Sequence, residues 1–161
     1  MENKLTTEFE KYISEWIVND LDTPVPLLNN MPKCPFAKKA LLENKIKFFE
    51  NKQDTLELIQ DIINHWDNNI EVAIIKIEDN VTSDDLSRIA IEANERHPAF
   101  LILDDHLDVE EKIKDVDFSN NKYNILLCQK RDKIVAARKM LQKNGYYKNW
   151  DEHYYNSVVS L

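Results

Sequence analysis

IEVAIIKI, residues 70–77, is rich in β-branched residues and predicts a well-buried strand. Three further runs have the length and composition of strands: KIKFF (45–49), AFLILD (99–104) and YNILLC (123–128). Helical patterns lie between most of these runs. The order therefore predicts an α+β fold, in which helices pack on a single, mostly four-stranded sheet.

Capping signals and the spacing of apolar residues place the helices around these strands. Thr7 starts an extra N-terminal helix with capping-box spacing, and Thr82 or Ser83 caps a helix before the third strand. A helix over 131–143 ends near Gly145, which suits a left-handed C-cap. Further helical segments are predicted from about Pro35 to Glu43, from Asp54 to Trp66, within Asp105–Ser119 together with a loop, and in the C-terminal tail. A thioredoxin-like or ferredoxin-like layered sandwich would fit this order.

The length and composition predict one domain. A chain of 161 residues, 43% of them hydrophobic, is long enough to bury a core of ordinary size. Within the single domain 1–161, residues 1–33 form the N-terminal helix and a proline-rich connection. Residues 34–145 form the α/β core, and residues 146–161 form an aromatic C-terminal tail.

The sequence also predicts a compartment. The longest apolar runs are only of strand length, so no membrane span is expected. The N-terminus has no basic start followed by an apolar block, so no signal peptide is predicted. Two cysteines do not suggest a disulfide scaffold. We therefore expect a small soluble protein of the reducing cytoplasm.

Glycine content and net charge exclude several classes of function. Gly145 is the only glycine. Phosphate loops, dinucleotide fingerprints and G-x-S-x-G nucleophile elbows need several glycines, so proteins built on those motifs are excluded. The formal net charge of -8 argues against nucleic-acid binding by the surface as a whole.

The C-terminal third carries most of the candidate binding residues. Lys122–Lys148 contains eight basic residues and one acidic residue. It predicts either a solvated helix face or a docking patch for an anionic small molecule or an acidic partner, with Arg131, Arg138 and Lys139 as candidates. The tail groups Trp150 with four tyrosines, which predicts either a helix that covers the sheet or a surface for a protein partner or homodimer.

Cys34 is the catalytic candidate. It lies in MPKCPFAKKALL (31–42), just before a predicted helix, where free N–H groups and the helix dipole lower the pKa of a thiol. Lys38 and its neighbouring lysines would add positive charge, and Lys38 is a further binding candidate. The alternative is that Cys34 is a small buried residue under a turn, because free cysteine is commonly buried.

Two family resemblances begin at this cysteine. CPF followed by a helix and a strand resembles the start of glutaredoxins, and Ala37 at the resolving position implies a monothiol site. The CPFAK segment (34–38), with the strand, helix and strand that follow it, resembles an uncharacterised bacterial family, domain of unknown function 1415. That resemblance covers about two thirds of the chain by the residue patterns matched. It implies a site at Cys34, Pro35 and Phe36.

An acidic segment after the third predicted strand is a candidate metal site. Asp104, Asp105 and His106 supply carboxylate oxygens and an imidazole, which could hold a divalent cation. The segment lacks the spacing that places two imidazoles on one helix face. The alternative is a solvated acidic loop whose residues cap and turn the chain.

These observations favour a binding or regulatory protein that acts through the basic helix and the aromatic C-terminal surface. A thiol-dependent redox or transfer activity at Cys34 is the second hypothesis, and a metal site near Asp104–His106 is the third. No cofactor is predicted.

Overall fold

The computed structural model describes residues 6–110 and 112–158. Its helices are α1 (Glu8–Trp16), α2 (Ala37–Leu42), α3 (Thr55–Asn64), α4 (Ser83–Arg96), α5 (Arg131–Lys143) and α6 (Glu152–Val158). Its strands are β1 (Pro24–Val25), β2 (Met31–Pro32), β3 (Ile46–Glu50), β4 (Val72–Ile77), β5 (Phe100–Asp105), β6 (Lys112–Ile113), β7 (Val116–Asp117) and β8 (Asn124–Lys130). A π-helical turn, Ile17–Leu21, extends α1, and a 3₁₀ turn, Pro26–Leu28, lies between β1 and β2.

The main sheet has the order β3-β4-β8-β5. Strand β3 runs parallel to β4, whereas β8 runs antiparallel to both β4 and β5. All residues of β4 except Lys76 are buried, because this strand has a neighbour on each side and a layer of helices on each face. The predicted α+β class, the four-stranded sheet and the extra N-terminal helix are confirmed.

Two apolar clusters cover the two faces of the sheet. On one face, α3 and α4 pack against side chains such as Ile75 and Leu126. On the other face, α1 and its π-helical turn pack against Ile74 and Ile125 through Ile13 and other residues. Successive residues of β4 and β8 belong to different clusters, because successive side chains of a strand point to opposite faces of the sheet.

Several helix ends have the caps that the sequence predicted. The side chains of Thr7 and Thr82 accept hydrogen bonds from the backbone N–H three residues later, at 3.1 Å each. Gly145, after the end of α5, has φ +82°. A side chain there would be strained, and its Cβ would lie 2.8 Å from Nδ2 of Asn29, so glycine fits this position. The predicted tail helix forms as α6, and residues 159–161 of the tail lie outside the described residues.

Two connections differ from the prediction. The proline-rich connection is not simply extended, because β1 and β2 pair as a short antiparallel ribbon that turns through Asn29 and Asn30, both with positive φ. Residues 105–119, of which Glu111 lies outside the described residues, contain the β6–β7 hairpin rather than a short helix. Lys114, with φ +53°, lies at the turn of this hairpin. Within the described part of the chain, no helix is long and apolar enough to cross a membrane.

Candidate functional site

A cavity of about 520 Å³ lies between the main sheet and α5. Its floor is a row of three side chains in register across three strands: Ile74 of β4, Leu127 of β8 and Leu103 of β5. Ile74 is buried, but Leu103 is 37% exposed. Leu103 lies on β5, the edge strand of the sheet, and its exposure shows that the layer of helices covering Ile74 does not fully cover this edge.

Helix α5 forms the roof and is held at both ends. At its start, the Arg131 side chain donates hydrogen bonds to the carbonyls of Pro98 and Phe100, at 3.0 and 3.2 Å. At its other end, Leu141 packs with Leu28 in a third apolar cluster. A helix of this length spans about 20 Å. The helix is therefore fixed at its ends and leaves a space beneath its middle.

Small side chains keep this space open. One face of α5 lines the cavity with side chains that include Ala137, and α2 presents Ala37 and Ala40 to it. Trp16 and Leu21 close the side formed by α1 and its π-helical turn. The space is partly open to solvent, and because ligand cavities measure roughly 300 to 1,000 Å³, it has the size of a small-molecule site.

Most charged groups at the cavity are already paired. Lys45 Nζ lies 3.0 Å from a carboxylate oxygen of Glu43, and Lys133 Nζ lies 3.3 Å from one of Glu71. Arg138 differs, since its Nη1 is buried and has no hydrogen-bond partner within residues 6–110 and 112–158. Burial lowers the pKa of Arg138. The guanidinium still carries its charge at neutral pH, because arginine side chains are not deprotonated in proteins.

Cys34 lies on the wall of the same cavity. Its backbone N–H donates to the carbonyl of Leu21 at 2.9 Å, which ties the segment before α2 to the end of the π-helical turn. Burial raises the pKa of the Cys34 thiol, and the N–H groups of Phe36 and Ala37 oppose that rise. The sequence predicted a lowered pKa. That direction is wrong, because the loss of hydration outweighs the helix-start donors that the prediction relied on.

We expect Cys34 to alkylate more slowly at pH 7 than a model peptide thiol, because a raised pKa leaves less thiolate. The rate should keep rising with pH beyond the ordinary thiol pKa of about 8.5. Maleimide labelling across pH 6.5–9.5 measures this. Cys34→Ser is the control, since it leaves only Cys128, whose pKa burial raises to about 12. Labelling as fast as the model thiol would contradict the expectation.

The other predicted binding residues are only partly brought together. Pro35 and Phe36 lie beside Cys34, and Phe36 is 39% exposed at the cavity. Lys38 pairs with Asp22 at 3.1 Å. Lys139 is exposed, next to Arg138 in sequence. Arg131 serves the fold by anchoring α5, which no sequence pattern indicated.

Trp150 lies in an aromatic cluster formed by the chain's own tail. Its ring centroid lies 4.8 Å from that of Tyr147 and 5.9 Å from that of Tyr146. Tyr146 is buried and donates a hydrogen bond from its hydroxyl to the carbonyl of Lys33, the residue before Cys34. The tail therefore closes the end of the cavity, and both tyrosines line it.

The predicted metal residues have other roles in the structure. Asp105 is buried, and its carboxylate accepts hydrogen bonds from Ser119 Oγ at 2.7 Å and from Asn120 Nδ2 at 2.6 Å. His106 Nε2 lies 2.7 Å from the carbonyl oxygen of Val81. Asp104, the neighbouring strand residue, points to the opposite face. Among the residues that the structure describes, no group of three histidine, cysteine, aspartate or glutamate side chains could hold a metal ion. These bonds instead fix the segment that follows the β6–β7 hairpin.

We expect Asp105→Asn to lower the free energy of unfolding by about 1–3 kcal/mol at pH 7, because an NH₂ group would replace one accepting oxygen and face the donors of Ser119 or Asn120. Burial raises the pKa of Asp105 despite these donors. Because the pKa is higher in the folded protein, protonation of Asp105 stabilises the fold. This stabilisation is fully present below the unfolded pKa near 3.8 and is lost as pH rises through the folded pKa. The difference from wild type should grow as pH falls from 7 towards 4.

Urea unfolding at several pH values tests this expectation. Asp104→Asn, at the partly exposed neighbouring position, is the matched control and should change the unfolding free energy by less than about 0.5 kcal/mol. A difference between Asp105→Asn and wild type that shrinks at low pH would contradict the assigned direction of the pKa.

Sequence reasoning identified Cys34, Phe36 and Arg138 but not their shared cavity. It missed Leu103, Leu127 and Ala137, because each has the composition of an ordinary core position. One sequence feature could have indicated the cavity: Arg138 lies one turn after Ile134, so a charged residue falls on the apolar face of the helix.

No family model, no curated protein and no solved structure matches the chain. The resemblances to domain of unknown function 1415 and to glutaredoxins therefore stay predictions.

Proposed function

We propose that the protein is a binding protein that holds an apolar small molecule in the cavity between the main sheet and α5. The observation that carries this proposal is the row Ile74, Leu127 and Leu103, an apolar floor that the protein's own helices leave partly uncovered. A ligand would bury this surface, and apolar burial contributes about 25 cal/mol per Å².

This proposal agrees with the predicted class, a binding protein. The proposed binding surface is the cavity between the sheet and α5, whereas the predicted one was the outer surface of the basic helix and the tail. The basic helix was predicted to be a docking patch for an anionic small molecule or an acidic partner, and the aromatic tail a surface for a protein partner or homodimer. Arg131 bonds to backbone carbonyls of its own chain, and Arg138 faces the cavity. The aromatic tail packs on itself and on Phe118. These contacts support a small-molecule site more strongly than a partner surface.

A thiol-dependent activity at Cys34 has less support, since burial raises the pKa of the thiol. Cys34 would instead serve as part of the wall of the binding site. A cytoplasmic location stays part of this proposal, and two cysteines in a chain of this size are compatible with it.

A fluorescence titration with the neutral apolar dye N-phenyl-1-naphthylamine tests the proposal. We expect saturable binding of one dye per chain, with enhanced emission from an apolar site. Bound dye should also slow maleimide labelling of Cys34, because the thiol lies on the cavity wall. Labelling of the denatured protein with and without dye controls for direct effects of the dye on the reagent. Absence of saturable binding, or binding that leaves Cys34 labelling unchanged, would contradict the proposal.

A further inference from the structure

We propose that the ligand is a single-chain amphiphile with one anionic head group, which Arg138 binds while the chain lies against Leu103 and Leu127. This inference rests on the proposed function, since it names the class of molecule that the cavity takes.

Arg138 has a buried donor without an acceptor. Nη1 of Arg138 is buried without a hydrogen-bond partner, and Arg138 forms no ion pair within the described part of the chain. Arg138 as a whole is partly exposed, but a buried N–H of a charged group costs free energy when neither water nor a protein acceptor satisfies it. A carboxylate or sulfate in the cavity would accept the free N–H groups, and arginine suits such planar, two-point contacts.

Most of the remaining charges at the cavity are paired. Lys45 and Lys133 are held by Glu43 and Glu71, so each of these pairs is close to neutral. The acidic side chains that line the cavity are therefore already bound to lysines. Lys39 also lines the cavity, but it is exposed to water, so Arg138 is the less hydrated of the two charges that an incoming anion would meet.

The cavity contains a second polar group. Tyr147 lines the same cavity as Arg138. Burial raises the pKa of Tyr147, and the positive charge of Arg138 opposes that rise. The phenolic O–H is a donor that an anionic head group could also use. Leu103, Leu127 and Ala137 add an apolar surface to the same cavity. A charged donor and an apolar surface in one cavity match the two parts of an amphiphile.

Displacement of N-phenyl-1-naphthylamine from the full chain tests the inference. Decanoate and 1-decanol have the same chain length and differ in head group. We expect decanoate to displace the dye from the wild-type protein at a concentration at least about tenfold lower than decanol, the ratio that a charge-assisted hydrogen bond of about 1.4 kcal/mol gives. Equal displacement by the two would overturn the inference but leave the proposed function standing. Failure of the dye itself to bind would contradict the proposed function.

Three variants locate the head group. Arg138→Gln should remove the preference for decanoate, and Arg138→Lys should restore part of it. Lys139→Gln removes the same charge from the exposed neighbouring position and should keep the preference. A preference that survives Arg138→Gln, or that Lys139→Gln also removes, would overturn the assignment to Arg138.

A stability measurement separates this role from a structural one. If the role of Arg138 is to bind a ligand, Arg138→Met should raise the urea midpoint of the ligand-free protein. The substitution removes a charged group whose buried Nη1 has no partner. Added decanoate should then stabilise the wild type but not the variant. A lowered midpoint in the ligand-free variant would show that Arg138 supports the fold and would contradict the inference.

Discussion

Replacing Ala137 by tryptophan should lower the affinity of the protein for N-phenyl-1-naphthylamine by about tenfold or more, equivalent to at least about 1.4 kcal/mol. Ala137 lies on the face of α5 that roofs the cavity, above Leu127 and Leu103. An indole ring there would occupy the space between helix and sheet and exclude the ligand. The cavity accepts the ring without large strain because the space is already empty. Fluorescence titration of the two proteins measures the change.

Ala136→Trp is the matched control. Ala136 is exposed, one residue before Ala137 on the same helix, so the same substitution there leaves the cavity open. We expect its affinity for the dye to match that of the wild type. If Ala136→Trp and Ala137→Trp weaken binding equally, or if neither does, the dye binds elsewhere.

Truncating Tyr146 to alanine should lower the free energy of unfolding by about 3–5 kcal/mol, as large-to-small substitutions of buried aromatic residues do. Tyr146 is 4% exposed and packs in the cluster that contains Leu28 and Leu141. Its hydroxyl also bonds to the carbonyl of Lys33, which joins the C-terminal tail to the segment before Cys34. Urea unfolding followed by circular dichroism measures the loss.

Tyr146→Phe separates packing from hydrogen bonding. The phenylalanine keeps the ring and leaves only the Lys33 carbonyl without its donor, so we expect a loss of about 1 kcal/mol. A loss from Tyr146→Ala no larger than that from Tyr146→Phe would show that the tail does not pack firmly over the end of the cavity.

Much of the fold could be predicted because its signals are local. IEVAIIKI became the buried strand β4, Thr7 capped α1, and Gly145 took the positive φ that ends α5. Each depends on the composition of a short segment or on the conformational range of one residue. The β6–β7 hairpin was missed, because the residues that hold the segment beside it, Asp105 and its donors, lie 14 and 15 residues apart in sequence.

The site could be predicted only in fragments. Cys34 and Arg138 were candidates for separate reasons, one as a thiol and the other as part of a basic helix. Their meeting depends on how far α5 stands from the sheet, which is fixed by the anchors at Arg131 and Leu141. The raised pKa of Cys34 has the same origin, because its burial is a property of the assembled cavity. Tertiary distances of this kind leave no periodic signal in a sequence.

Chemical-shift mapping of the backbone amides of the ¹⁵N-labelled full chain with N-phenyl-1-naphthylamine tests the central claim most directly. We expect the largest shifts on both sides of the cavity, at Leu103 and Leu127 of the sheet and at Ala137 and Arg138 of α5. Shifts concentrated on the opposite face, around Ile59 and Ile75 between the sheet and α3, would contradict it. So would saturating dye that leaves the amides of α5 unchanged.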